Sequence, residues 1–208
     1  MNICLLGDSI LDNGAYTGGQ PAVVDHLNRM LGESGAGSES RRATLLAVDG
    51  SLTAEVAPQA RALPPDATHF VVSSGGNDAL QYQSLLQHNV ASVGQAFWVF
   101  RDPLQKLEAE YRHVLEELQK TGLPGICCTI YSGWMDDPLA QTIVPIALSL
   151  FNDVIFRLAL EYRIPVLDLR RICTAASDYA NPIEPSGPGG EKIAAAIADS
   201  LAPRKDAP

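Results

Sequence analysis

Five short apolar runs constrain the fold of this chain more than any other feature of its sequence. None of them shows the alternation of polar and apolar residues that is typical of a half-buried strand. Runs of this kind favour strands that are buried on both faces of a parallel sheet. The runs cover 2–7, 43–48, 68–74, 125–131 and 164–169.

Helical patterns separate these runs. Between Pro103 and Gly122, apolar residues recur at steps of three and four, with Asp102 as the predicted N-cap. Residues 138–163 form another helical stretch, which we predict to break near Pro145 because proline lacks the backbone N–H. Strands that alternate with helices predict βαβ units with right-handed crossovers and a parallel sheet.

Length and composition limit the remaining possibilities. The chain has 208 residues, and we expect one domain at 1–203, a flexible tail at 204–208 and a mobile segment at 32–42. A net charge of −9 argues against nucleic acid and anionic membranes as partners. We expect no membrane span, since no uninterrupted apolar run reaches the length of about 18 residues that a span needs. The absence of signal-peptide features and of C-x-x-C spacing predicts a cytoplasmic protein with reduced thiols, whereas the oligomeric state stays open.

Four of the predicted strand ends carry glycine and small polar residues, in the segments GDS, DGS, SGGND and YSG. Ligands of open α/β sheets bind beyond the carboxyl ends of the strands. We therefore expect Ser9, Gly50 and Asn77 to meet in one polar pocket. Taken singly, these residues have a plainer interpretation, with Ser9 and Ser51 as helix N-caps and the glycines as turn residues.

The same segments resemble the conserved blocks of the SGNH/GDSL hydrolases. GDSI at Gly7–Ile10 resembles block I, VDGS contains the block II glycine at Gly50, and GGND at Gly75–Asp78 resembles block III. The resemblance implies a flavodoxin-like α/β/α sandwich whose five parallel strands have the order 2-1-3-4-5. It also implies that Ser9 is the nucleophile, and that the N–H groups of Ser9 and Gly50 form an oxyanion hole with the Asn77 amide.

The fifth block departs from the family pattern. Family members have D-x-x-H-P, and this chain has Asn181 in place of the aspartate and Glu184 in place of the histidine. We predict that Glu184 serves as an unusual general base, oriented by the amide of Asn181. The alternatives are that Glu184 caps the last helix or pairs with an arginine, or that His88 replaces the missing histidine.

Other residues near these blocks are candidates for substrate binding. The sequence predicts this role for Asp8, Asn13, Asp78 and Tyr131. Four aromatic residues have two open interpretations, since they either line an acyl or aryl pocket or merely cover the core. They are Phe97, Trp98, Phe100 and Trp134.

The sequence thus predicts hydrolysis of small acyl esters through Ser9, without a cofactor or a metal. No phosphate-binding glycine motif and no metal-ligand spacing is present. Two alternatives belong to other functional classes. One is a binding module that kept the pocket and lost the base, and the other is a structural domain whose glycine-rich edge contacts a protein.

Overall fold

Five parallel strands form one sheet in the order β2-β1-β3-β4-β5 in the computed structural model, which describes residues 1–33 and 41–202. This order confirms the prediction from the sequence. The strands are β1 (Asn2–Gly7), β2 (Arg42–Leu45), β3 (His69–Ser73), β4 (Gly125–Cys128) and β5 (Val166–Leu167).

Helices cover both faces of the sheet, as predicted. They are α1 (Val23–Glu33), α2 (Thr53–Arg61), α3 (Gly76–Leu80), α4 (Val93–Trp98), α5 (Arg101–Thr121), α6 (Pro138–Glu161) and α7 (Gly187–Leu201). Short 3₁₀ turns lie at Gly14–Tyr16, Gln83–Gln87, Leu169–Arg171 and Ala176–Asp178.

The first strand shows why the apolar runs do not alternate. Cys4 and Leu6 pack into a core against α2, α5 and α6, whereas Ile3 and Leu5 pack into a second core against α1 and α7. Successive side chains of a strand point to opposite faces, so a sheet with a core on each side needs apolar residues throughout. The four cysteines are free thiols buried in these two cores.

Two details of the predicted helices are wrong. Helix α6 continues through Pro145. A proline removes one helical hydrogen bond, but Leu148 and Leu150 in the turn after it pack against the core, and the helix continues. Helix α5 begins at Arg101, so Asp102 lies in its first turn and Phe100 is the N-cap residue. The tail and most of the segment predicted to be mobile lie outside the described residues.

Helix α6 bears on the expectation that the chain has no membrane span. By length and composition this helix is able to cross a membrane, with a mean hydropathy of 1.8 over its most apolar window. Only 33% of that window is buried, although the second half of the helix packs into the core through Val154, Ile155 and Leu158. One such helix is weak evidence for a span, because core helices have the same composition.

Candidate active site

Ser9 follows β1 in a tight turn that requires glycine at its start. Gly7 has φ +126°, and a Cβ there would lie 1.6 Å from the Ser73 carbonyl oxygen. Gln59 of α2 fixes the same residue, since its Oε1 accepts from the Gly7 N–H at 2.7 Å and its Nε2 donates to the Gly7 carbonyl at 3.0 Å. Ser9 is therefore held at the carboxyl edge of the sheet, with only 5% of its surface exposed.

The segments after β2 and β3 are tied to each other beside Ser9. Asn77 Nδ2 donates to the Ser51 carbonyl at 3.0 Å. Asp78 Oδ2 accepts from the Thr53 N–H at 3.0 Å and from the Thr53 hydroxyl at 2.8 Å. These bonds use one N–H of the Asn77 amide, so its second N–H remains for a ligand.

Two backbone donors at this edge are unused. Within residues 1–33 and 41–202, the N–H groups of Ser9 and Gly50 have no hydrogen-bond partner. Gly50 has φ +81°, a conformation that favours glycine. Gly50 does not line the cavity that contains Ser9. Its neighbour Asp49 accepts a 2.8 Å hydrogen bond from the hydroxyl of Tyr16, and Tyr16 does line that cavity.

The backbone around Glu184 is fixed by hydrogen bonds to four consecutive carbonyl groups, those of residues 182–185. The donors are the Trp134 N–H to Pro182 at 2.9 Å, the Tyr131 hydroxyl to Ile183 at 2.6 Å, the Ala180 N–H to Glu184 at 2.9 Å and Asn13 Nδ2 to Pro185 at 3.2 Å. These four carbonyl groups are therefore paired, and they fix the position of the Glu184 backbone.

Asn181 contributes to this loop in a different way from the one predicted. Its Oδ1 accepts from the N–H groups of Ile183 and Glu184, each at 3.0 Å. The side chain therefore holds the backbone of a turn and makes no hydrogen bond with the Glu184 carboxylate in the described part of the chain. Asparagine commonly forms this kind of turn, in which its side chain binds the backbone two residues on.

Glu184 lies beside Ser9 in a buried position, with 7% of its surface exposed. Burial raises its pKa above the ordinary value, a hydrogen bond from the Ser9 hydroxyl acts in the opposite direction, and the charge of Asp49 adds to the rise. The Ser9–Glu184 contact is not among the well-aligned hydrogen bonds of the described residues, and Glu184 Oε2 has no partner there. Catalytic hydrogen bonds are often loose before substrate binds.

Neither structural alternative for Glu184 holds. The N-cap of α7 is Ser186, whose Oγ accepts from the Gly189 N–H at 3.2 Å. No arginine forms an ion pair with Glu184 in the described residues. The carboxylate therefore faces Ser9 without a structural partner of its own.

No histidine lines the cavity that contains Ser9 and Glu184, in a chain whose four histidines are all described. His88 is exposed and lies beyond the lining residues Leu86 and Gln87. The others lie in α1, at the start of β3 and in α5: His26, His69 and His113. Glu184 is therefore the base candidate that the fold brings to Ser9.

A cavity of about 850 Å³ contains the candidate residues and extends from them along α6. Ser9, Asn77 and Glu184 lie on its wall. Its volume falls in the range of small-molecule sites. Asp8 also lines it, and burial raises the pKa of that carboxyl to about 7, opposed by the Ile10 N–H and assisted by the charges of Glu184 and Asp78.

The residues predicted to bind substrate divide into two groups. Asp8 and Tyr131 line the cavity, whereas Asn13 and Asp78 lie behind it and hold loops in place. The aromatic residues divide as well. Phe100 lines the cavity, and the three aromatic residues that are exposed outside it are Phe97, Trp98 and Trp134.

The sequence does not predict the roles of two residues that support the site. Gln59 fixes the turn before Ser9, and Thr53 binds Asp78. Gln59 gives a weak signal, because it is a polar residue beside the apolar positions Val56 and Ala60 of one helix. Thr53 gives none, since a threonine at the start of a helix is common for other reasons.

One family model matches the sequence, and solved structures match the fold. The sequence model of the GDSL-like lipase/acylhydrolase family matches residues 5–189. No curated protein matches the sequence significantly.

Several solved structures share the fold at low sequence identity. A lipase/acylhydrolase from Enterococcus faecalis is 18% identical with a TM-score of 0.67, over 96% of this chain and 94% of that one. A psychrotrophic esterase from Pseudoalteromonas sp. is 15% identical with a TM-score of 0.68, over 96% of each chain. An extracellular lipase from Streptomyces rimosus is 14% identical with a TM-score of 0.66, over 97% of this chain and 100% of that one.

Proposed function

Because this chain belongs to the GDSL-like lipase/acylhydrolase family, we propose that it hydrolyses carboxylic esters with Ser9 as nucleophile and Glu184 as general base. The observation that carries the proposal is the buried Glu184 carboxylate beside the Ser9 hydroxyl, at an edge that no histidine of the described chain reaches. The elevated pKa of Glu184 supports the role, since a stronger base accepts a proton more readily.

The acylation step follows from this arrangement. Ser9 Oγ attacks the ester carbonyl carbon while its proton moves to the Glu184 carboxylate. The negative charge that develops on the carbonyl oxygen is stabilised by the free N–H groups of Ser9 and Gly50 and by the second N–H of Asn77. Protonated Glu184 then gives its proton to the leaving alkoxide oxygen as the carbon–oxygen bond breaks.

Deacylation repeats these steps with a water molecule in place of the Ser9 hydroxyl. Ionised Glu184 takes a proton from a water molecule that attacks the acyl–Ser9 carbonyl, and the same donors stabilise the second oxyanion. Proton return from Glu184 to Ser9 Oγ releases the acid. The hydrogen-bonded carbonyl groups of residues 182–185 support this exchange, because they keep the Glu184 backbone in place throughout.

Small acyl esters are the simplest substrates with which to test this function. Wild-type protein should hydrolyse p-nitrophenyl acetate and should be labelled by a fluorophosphonate, with the added mass on Ser9. Ser9→Ala should lose both properties, while the matched surface variant Ser84→Ala should keep them, since Ser84 is exposed. Full turnover by Ser9→Ala in a clean preparation would show that the nucleophile is another residue.

A second candidate function has one observation in its favour, the replacement of the usual histidine by a carboxylate. In that case the pocket binds a ligand and performs no chemistry. Wild-type protein would then show neither turnover nor covalent labelling, but Ser9→Ala would bind acyl or sugar ligands as well as wild type does.

A further inference from the structure

The segment that carries Gly50 is a four-residue turn. The Ser51 N–H donates to the Val48 carbonyl at 3.1 Å and closes the turn, so its two central residues are the ones between. The second of them, Gly50, has φ +81°. The first, Asp49, has a negative φ, since Arg163 is the only non-glycine residue with a positive φ in the described part of the chain. A positive φ at the second central residue alone defines a type II turn, because a type I′ turn has it at both.

The type of this turn sets the direction of the Gly50 N–H, which belongs to the peptide between the two central residues. Types I and II differ by about 150° in ψ of the first central residue and by about 170° in φ of the second, so this peptide is reversed between them. The dipeptide Asp-Gly is compatible with more than one turn type. Contacts from outside the turn therefore decide which direction the Gly50 N–H takes.

The segment after Ser9 supplies two such contacts, both to Asp49. The Tyr16 hydroxyl donates to Asp49 Oδ2 at 2.8 Å, and Asp12 Oδ2 accepts from the Asp49 N–H at 3.0 Å. The Tyr16 hydroxyl stays protonated at neutral pH, because its hydrogen bond to Asp49 raises its pKa to about 12. Both contacts tie the turn that contains Gly50 to the segment that contains Ser9.

Without the Tyr16 hydroxyl, the Asp49 carboxylate would have a competing partner in its own backbone. Aspartate side chains commonly accept from the N–H two residues further on, and for Asp49 that residue is Ser51. The Ser51 N–H is the donor that closes the turn, so its capture by the carboxylate would open the turn. The hydrogen bond from Tyr16 directs the carboxylate away from Ser51 and thereby stabilises the type II turn.

We propose that Tyr16 is a positioning residue, which holds Asp49 so that the Gly50 N–H keeps its direction toward the developing oxyanion. The inference rests on the proposed function, in which this N–H is one of three oxyanion donors. Tyr16 lines the cavity that contains Ser9 and Glu184, whereas its hydroxyl is bonded to Asp49. The hydroxyl therefore acts on the turn, while the ring borders the site of the ester.

Tyr16→Phe tests this role, because it keeps the ring in the cavity and removes only the hydroxyl. On p-nitrophenyl acetate kcat should fall at least about threefold, and by no more than the roughly 10²–10³ that one oxyanion donor contributes. KM should change less than about twofold, since the oxyanion forms only after the substrate binds. Wild-type kcat in Tyr16→Phe would overturn the proposal.

The matched control is Tyr162→Phe, just after α6. The ring of Tyr162 lies beneath the Arg112 guanidinium, and the residue is not part of the cavity lining. This variant loses the same hydroxyl group and should keep wild-type kcat. An equal fall of kcat in Tyr162→Phe and Tyr16→Phe would mean that the loss reports general stability and would contradict the positioning role.

The Asp49→Ala background shows whether Tyr16 acts through the turn. In that background the hydroxyl has lost its acceptor, and no carboxylate competes for the Ser51 N–H. Adding Tyr16→Phe should then change kcat less than about twofold, because the two residues act through one interaction. The same loss from Tyr16→Phe with and without the Asp49 carboxylate would mean that the hydroxyl acts on the substrate directly, and the proposal would be wrong.

Nuclear magnetic resonance of Ser9→Ala, which lacks the proposed nucleophile, examines the turn without turnover. In a type II turn, ψ of about +120° at the first central residue brings its Hα close to the next N–H. The nuclear Overhauser effect between Asp49 Hα and the Gly50 N–H should therefore be strong, and it should weaken when Tyr16→Phe is added.

This measurement distinguishes a failure of the inference from a failure of the proposed function. A weaker effect in the Tyr16→Phe variant supports the hold of Tyr16 on the turn, even where wild-type protein hydrolyses no ester and the esterase proposal fails. An unchanged effect, together with ester turnover by wild type, would leave the esterase and remove the role of Tyr16.

Discussion

Glu184 is a residue at which burial and reactivity are linked. A carboxylate that is 7% exposed loses most of its hydration, and its Oε2 has no partner among the described residues. Groups of this kind destabilise the folded state, and they are concentrated at functional sites. The same burial raises the pKa of Glu184 and makes it a better proton acceptor for Ser9.

The pH dependence of the rate should report this carboxyl. Only ionised Glu184 accepts a proton, so kcat/KM should rise with pH through one pKa that lies above the ordinary value of 4.5. Steady-state rates between pH 4 and 8 would show the rise. A rate that is already maximal at pH 4 would mean that no buried carboxyl controls the reaction.

Asp8 should make the stability of the protein depend on pH. Its pKa is raised by burial from 3.8 to about 7, so the folded state holds this proton more tightly than the unfolded chain does. The resulting stabilisation is complete below pH 4 and is lost as pH rises through about 7. Asp8→Asn keeps an acceptor for the Ile10 N–H and removes this dependence.

Urea unfolding at several pH values measures the effect. The free energy of unfolding of Asp8→Asn, relative to wild type, should grow between pH 4 and 8 by up to about 4 kcal/mol. If the two curves stay parallel over that interval, the Asp8 carboxyl is not the titrating group.

At the residue scale, the sequence predicts which side chains meet at the site better than it predicts the direction in which each side chain points. Glu184 and Ser9 follow from the order of the blocks, and the fold brings them together. The direction of the Asn181 side chain does not follow, because a backbone turn and a carboxylate compete for the same amide. Local hydrogen bonds within a turn form at a smaller cost in chain entropy than longer-range ones.

The elements that hold Glu184 in place are α1 and the loop before α7. Asn13 joins them, since its Oδ1 accepts from the Val23 N–H at 2.9 Å and its Nδ2 donates to the Pro185 carbonyl at 3.2 Å. Asn13 is fully buried. Its two bonds therefore link the start of a helix to the residue next to Glu184.

Asn13→Ala should lower both stability and kcat. Each buried group that loses its partner costs about 1–3 kcal/mol, and the freed loop should reduce kcat at least tenfold. Asn28→Ala is the matched control, because Asn28 also makes side-chain hydrogen bonds from α1, to Val24 and Ala43, away from the site. The midpoint temperature of thermal unfolding and kcat should both fall in Asn13→Ala, whereas only the midpoint temperature should fall in Asn28→Ala. Equal kcat values in the two variants would contradict this role of Asn13.

Helix α6 shows what sequence patterns miss at the scale of an element. Its existence follows from apolar spacing, but its continuation through Pro145 depends on packing that the pattern does not contain. The long α6 wall of the cavity is a consequence of that continuation. A helix broken at Pro145 would have shortened the wall to roughly half its length.

Over the whole molecule, the parallel sheet could be predicted because two cores require apolar strands throughout, and the strand order is the one that the family resemblance implies. The depth and polarity of the cavity could not, since they depend on how α6 and residues 79–100 face each other across the sheet edge. A cytoplasmic location and the absence of nucleic-acid partners stay predictions from composition.

If a carboxylate is the base of this GDSL-type acylhydrolase, its conversion to an amide should remove most of the activity. The most direct measurement is kcat/KM of Glu184→Gln on a p-nitrophenyl ester, beside Glu191→Gln as the same substitution at an exposed position of α7. We expect kcat/KM to fall at least about a hundredfold in Glu184→Gln, with unchanged folding, and to keep wild-type values in Glu191→Gln and His88→Ala. Wild-type kcat/KM in Glu184→Gln, above all with an inactive His88→Ala, would contradict it.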